Sequence, residues 1–385
     1  MGIAFLACTT TTVQVVPDRA DTGPESAGDD TDAAAPDAGS DAHVAAPPRE
    51  QIPNNGGPVI ASPEIVTITW QGDTINDGLE AFDDWLVASD TWKTMMAEWG
   101  VGPGTHLASY RVPTAAPGNL DDSDVKKLLQ DAFAAGSIPP PNGSRIYTVY
   151  PPSGTSVTSF GSKACDTFQA YHSSFTYSGA DAGPPALAIY AITPRCDGGA
   201  ADGMQPLDYV TWGQSHEVME ASSDPDAMHP TWVIEQQTDA TPDPGENADL
   251  CTSNPTKVDG HMITRNYSNA AAARGERVCV PAPPGPDFGG YVDPLAITLK
   301  PGSATTVPLH LYANGAMPDF TVLAYPGNSE ITVKQSAKTG NDGTVVMLTV
   351  TTSTKYVEQE GANLVYLLAY TKDYASRRAL IVHSN

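Results

Sequence analysis

Apolar residues recur with two different periods along this chain, and the changes of period mark its organisation. From Thr9 to about Asn55 there is no period: Ala, Asp, Pro, Gly, Ser and Thr dominate, with hardly a large aliphatic residue after Val16. Such a segment buries too little apolar surface to offset its ordering entropy, so it reads as a disordered acidic tether. The folded part opens near Gly56, and the β-branched run Glu64-Ile65-Val66-Thr67-Ile68-Thr69-Trp70 predicts a strand. A helical period follows. Leu79, Phe82 and Leu86 form one stripe; Trp92, Met95, Met96 and Trp99 form a second, ended by Gly100. Val125, Leu128, Leu129, Ala132 and Phe133 form a third, in a helix over residues 123–133 with Gly136 as its stop. Strands return at 145–150 and 186–192, closed by Pro151 and Pro194. Beyond a Pro/Gly-rich run the pattern is all strand, at 296–299, 306–311, 320–324, 331–333, 345–350, 364–370 and 379–382, separated by Pro-Gly, Asn-Gly and Asn-Asp-Gly turns. The expected fold class is therefore α+β: a mixed α/β domain over 56–280, a linker over 281–293, and an immunoglobulin-like β-sandwich over 294–385.

One stretch in the first domain breaks the apolar pattern with ionisable groups, Trp212-Gly213-Gln214-Ser215-His216-Glu217-Val218-Met219-Glu220, followed by Asp224-Pro225. On a helix His216 and Glu220 share a face. Glu217 stands where the general base stands in the zinc-binding H-E-x-x-H arrangement, with glutamate here replacing the second histidine. A carboxylate binds zinc, so His216 and Glu220 make a half-site that needs a third ligand. Asp249, with Glu246 as substitute or supporting ligand, is the candidate from the loop Pro242 to Cys251; His229 and His261 are competitors in polar loops. Tyr267 or His172 would stabilise an oxyanion. The plain alternative is a solvated helix and a solvated turn whose acids face water. Two carboxylates and one histidine also leave calcium open.

A formal net charge of −25 over 385 residues would repel nucleic-acid phosphates and anionic lipid, so nucleic acid is excluded as a partner. The five cysteines divide into Cys8 at the extreme N-terminus and Cys165, Cys196, Cys251 and Cys279 in the middle. Met1-Gly2-Ile3-Ala4-Phe5-Leu6-Ala7-Cys8 resembles the end of a bacterial lipoprotein signal, without a basic n-region and with a short apolar run. That reading makes residues 1–8 a truncated signal, Cys8 a lipid anchor, and the chain exported. The other four cysteines then form two disulfides, Cys165 with Cys196 and Cys251 with Cys279, the latter stiffening the acidic loop.

Several short motifs occur in a characteristic order over residues 56–280: Gly56-Gly57-Pro58-Val59, Trp99-Gly100-Val101-Gly102, Tyr147-Thr148-Val149-Tyr150-Pro151 and Tyr171-His172-Ser173-Ser174. Next come Ser215-His216-Glu217 through Glu220-Ala221, Asp224-Pro225, Gly245-Glu246 with Asp249 and Cys251, and Tyr267-Ser268-Asn269-Ala270 before Cys279. With them this region resembles the EXORDIUM-like (phosphate-induced) family and its bacterial relatives. It departs from the family wording at Ser223, where threonine is common, and at Asn247-Ala248, where an Ile-Gly pair is common. The resemblance implies an extracellular, cell-wall-associated protein, with a histidine-glutamate helix that looks like that of zincin peptidases. It covers neither tether nor sandwich. Two functions are thus expected. One is a zincin-like zinc-dependent hydrolase of peptides or proteins; the other is a non-catalytic binding protein for a cell-surface polymer, holding a structural ion.

Overall fold

The structure is a computed structural model that describes residues 48–159, 161–179, 184–196, 204–239, 242–359 and 362–385. The lipid anchor expected on Cys8 and the tether up to residue 47 lie outside the described residues. Residues 48–55 belong to the fold, a correction to a tether ending at 55. Ile52 is buried, its N–H is held by Asn269 Oδ1 at 2.9 Å, and the Arg49 guanidinium donates to Tyr312 and Ser376. A single buried isoleucine in a polar stretch is too little period for a sequence pattern to register.

β1 (Glu64–Trp70) is buried along nearly its whole length, the condition of a strand covered on both faces of a parallel sheet. α1 (Asn76–Ala88) and α2 (Asp90–Met96) bury Leu79, Phe82, Leu86, Trp92, Met95 and Met96 as the stripes required; a 3-10 turn then carries buried Trp99 and ends at Gly100 with φ 81°. β2 (Thr105–Val112) follows, a strand the pattern did not show because its alternation is polar-rich and half exposed. After β3 (Asn119–Asp121), α3 (Asp122–Ala134) opens on a reciprocal capping box between Asp121 and Asp124, which starts the helix where the apolar stripe begins. β4 (Arg145–Val149) enters the sheet, and β5 (Ser156–Ser159) with β6 (Ser162–Lys163) joins β3 in a small side sheet. β7 (Tyr171–Tyr177) and β8 (Ala186–Ile192) complete the main sheet, in the order β2-β1-β4-β8-β7. Its first four strands are parallel, and β7 runs antiparallel along the outer edge of β8.

α4 (Pro206–Ser223) starts with proline in its first turn and packs against β7, β8 and the later β12. Short hairpin pairs follow: β9 (Val233–Ile234) with β10 (Gly245–Glu246), β11 (Pro255–Val258) with β12 (His261–Thr264), and β13 (Asn266–Tyr267), through α5 (Asn269–Ala273), with β14 (Cys279–Val280). Both expected disulfides are present, Cys165–Cys196 and Cys251–Cys279.

Every strand expected beyond residue 294 is present, in two sheets. β15 (Phe288–Tyr291), β17 (Ala304–Ala313), β21 (Val345–Thr352) and β19 (Ile331–Gln335) make one, ordered β15-β17-β21-β19. β16 (Ala296–Leu299), β23 (Ala375–Ser384), β22 (Leu364–Tyr370), β18 (Phe320–Pro326) and β20 (Thr339–Gly340) make the other, in that order. The stretch 281–293, expected as a linker, supplies β15, which pairs with β17 from Phe288 to Tyr291. The chain is thus mixed α/β and predominantly strand. One continuous apolar core runs from Phe82, Trp92 and Val218 through Cys251 and Cys279 to Phe288, Leu348 and Leu380, so the two parts are packed together. No helix among the described residues is long and apolar enough to cross a membrane. Two disulfides fit an extracellular, oxidising setting.

Candidate metal centre

α4 is buried on all sides from Tyr209 to Ser223 apart from a half-buried Gly213, although its sequence is largely polar. An interior helix of this composition needs a partner for each polar group. Most have one: Thr193 donates to Gln214 at 2.7 Å, Thr264 N–H donates to Ser215 Oγ at 2.9 Å, and Asn247 donates to Ser223 Oγ at 2.9 Å. His216, Glu217 and Glu220, also inside the protein, find their partners among other ionisable groups.

Three elements bring those groups together. α4 presents His216 and Glu220 on one face, their Nε2 and Oε1 atoms 3.0 Å apart. The turn after β10 supplies Asp249, whose Oδ1 lies 3.3 Å from His216 Nε2 and whose N–H donates to Glu220 Oε1 at 3.0 Å. Asp249 fits there because position 245 is glycine. Gly245 has φ 148°, and a Cβ on it would stand 2.9 Å from both Cβ and Oδ2 of Asp249. The second residue of β7 is His172, with Nδ1 at 3.3 Å from Glu217 Oε2 and 3.7 Å from Glu220 Oε2, and Nε2 at 3.8 Å from Glu246 Oε2. The ligand atoms of His172, Glu220 and Glu246 lie within 4.8 Å of one another, as do those of His216, Glu217 and Glu220.

The cluster is rich in negative charge. Burial, with the Asp249 charge beside it, lifts the Glu220 carboxyl to about 7, and burial with the Glu220 charge pushes Glu246 well above the carboxylate range. Burial also lifts Asp224, at the end of α4, to about 6 against the Thr231 N–H that it accepts. For His172 burial favours the neutral ring, but the hydrogen bond and charge of Glu217 outweigh it and raise the pKa. For Asp249 burial acts upward, and the hydrogen bond and charge of His216 win and lower it. Three carboxylate oxygens, Glu217 Oε1, Glu220 Oε2 and Glu246 Oε2, are buried without a hydrogen-bond partner. Orphaned acceptors of this kind cost free energy unless a cation meets them.

The structure therefore brings six of the seven expected site residues into one cluster: His172, His216, Glu217, Glu220, Glu246 and Asp249. It does not bring Tyr267 there. β13 pairs with β14 and turns that side chain toward the N-terminal segment, where its hydroxyl donates to the Glu50 carbonyl at 2.7 Å. Of the competing ligands, His229 is exposed beside Asp226, and His261 stacks on Trp85 with ring centroids 4.6 Å apart. Sequence reasoning gave Asp224 no role, yet its charge acts on both His172 and Glu246. The Asp-Pro step that ends the helix was its one local signal.

No family model matches the chain, and no curated protein matches it. Among solved structures, a crystal structure of domains 4 and 5 of the S-layer protein SbsC is 17% identical, over 26% of this chain and 54% of that one, with a TM-score of 0.19. A crystal structure of the S-layer protein rSbsC(31-844) is also 17% identical, over 26% of this chain and 13% of that one, with a TM-score of 0.20. Likeness at that level carries neither fold nor function across.

Proposed function

We propose that the chain is an exported, zincin-like metal-dependent hydrolase of the EXORDIUM-like type that cleaves peptide bonds. The observation that carries this reading is the convergence of His216 Nε2, Glu220 Oε1 and Asp249 Oδ1, at 3.0 and 3.3 Å from the imidazole nitrogen. Ligand atoms about 2.0–2.2 Å from a tetrahedral zinc stand roughly 3.3 Å from one another, and the two distances from His216 Nε2 match that spacing. Nitrogen from His216 favours zinc over calcium, which prefers an all-oxygen shell.

When bound, zinc supplies Lewis acidity that makes water a nucleophile near neutral pH. The remaining work belongs to the chain. Glu217 has one oxygen near His172 and the other unpartnered, and it takes the proton of the attacking water. His172 orients Glu217 through the contact between its Nδ1 and Glu217 Oε2. Asp249 and His172, with side chains 21% and 13% exposed, form the side of the cluster from which substrate enters.

Glu217→Gln is expected to lower hydrolysis of a peptide library by roughly 10²–10⁴-fold while the metal content stays unchanged. Full activity in that variant would remove Glu217 as the base. One observation favours a second reading: Glu217 also lies within ligand distance of His216 and Glu220. If Glu217→Gln loses the metal together with any activity, Glu217 is a ligand. The ion is then fully ligated, and the chain is a cell-surface binding protein with a structural ion and immunoglobulin-like sheets as its binding module.

A further inference from the structure

We propose that the cluster holds two divalent cations, the second bound by His172 and Glu246, with Glu220 bridging it to the first. The inference rests on the reading of His216, Glu220 and Asp249 as a metal site and extends it. A first ion in that position engages Glu220 through Oε1, the oxygen nearest His216. It leaves Glu220 Oε2 and Glu246 Oε2 unexplained. Both oxygens are buried without a hydrogen-bond partner, in residues 0% and 6% exposed, and both face His172, at 3.7 and 3.8 Å from its ring nitrogens.

The imidazole is set up for the role. Its Nδ1 is hydrogen-bonded to Glu217 Oε2 at 3.3 Å, which leaves Nε2, the nitrogen facing Glu246, free to bind an ion. A ligating histidine whose other nitrogen is held by a carboxylate is the usual supporting arrangement at metal sites. Charge favours cations there. Glu217, Glu220, Glu246 and Asp249 bring four carboxylates into the interior, and their ion-pair partners are His172 and His216. Cations held among them offset that negative charge. A carboxylate with one oxygen in each ligand set is how paired ions about 3.5–4 Å apart are held.

The test is zinc stoichiometry of the full chain, stripped with chelator, titrated with zinc and read by native mass spectrometry. Two zinc ions per wild-type chain are expected, falling to one in His172→Ala and in the isosteric Glu246→Gln, with one also retained in His216→Ala. One zinc in the wild type, kept by His172→Ala and lost by His216→Ala, would overturn the second position and leave the hydrolase reading standing. Two in the wild type and still two in both His172→Ala and Glu246→Gln would place the extra ion elsewhere and overturn it as well. No zinc in any form would overturn both readings.

Discussion

At the scale of single residues, burial decides which ionisable groups matter. Glu217 and Glu220 are fully buried, whereas the helix acids of an ordinary surface would face water. The i, i+4 spacing of His216 and Glu220 placed them on one face in advance; their burial was invisible, because α4 has no polar face that a period could reveal. Tyr267 shows the opposite failure. A tyrosine close in sequence to candidate ligands is oriented by its strand partner, and the sequence does not state that partner. Glu50 gives a test at this scale. Burial first and the Asp243 charge second raise its pKa from 4.5 to about 8, against the pull of Arg378, Arg49 and Arg377. A carboxyl whose folded pKa is raised contributes stability that is complete below the unfolded value and is lost as pH climbs through the folded one. The wild type is therefore expected to lose stability between about pH 4.5 and 8, and Glu50→Gln to flatten that slope by on the order of 1 kcal/mol, measured by denaturant unfolding at a series of pH values. Parallel pH profiles for the two proteins would remove Glu50 as the cause.

Among the elements, α4 was legible and the two that complete its site were less so. Apolar stripes and β-branched runs revealed the helices and the buried strands, because their periods are set by the core they face. β7 escaped, since Tyr171-His172-Ser173-Ser174 carries polar residues along a half-buried sheet edge. Glu246, at the end of β10, and Asp249, in the turn after it, fall in a stretch whose pattern predicts a loop, and its rigidity comes from contacts distant in sequence. The Cys251–Cys279 disulfide is one of them, closing over a separation of 28 residues. Replacing both cysteines with serine is expected to cost about 2–4 kcal/mol of stability. The same change should weaken zinc binding, measured with a competing chelator, more than replacing Cys165 and Cys196 does. Equal effects of the two pairs on zinc affinity would mean that the turn is held by other contacts.

For the whole molecule, the C-terminal sheets are a working part of the site's support, although their pattern suggested a separate module behind a linker. The Asn254 side chain exchanges two hydrogen bonds of 2.7 Å with the Ala375 backbone, and Tyr374 Oη accepts from Cys279 N–H at 3.0 Å. Arg377, on β23, pairs with buried Asp243 at 2.8 Å, two residues before β10 and its Glu246. Strand patterns record which residues point inward but not which surface of another unit they meet, so these contacts had no signature. Removing one partner of a buried pair strands the other, and Arg377→Ala is expected to destabilise the chain by about 3–5 kcal/mol, seen in denaturant melts. It should also lower zinc affinity; an Arg377→Ala chain with wild-type stability and affinity would separate the sheets from the site. The most direct test of the central claim is an anomalous difference map at the zinc edge, from crystals of the zinc-reconstituted chain. A peak bonded to His216 Nε2 and to the Glu220 and Asp249 carboxylates is expected. A map with no peak within the cluster of His172, His216, Glu217, Glu220, Glu246 and Asp249 would contradict it.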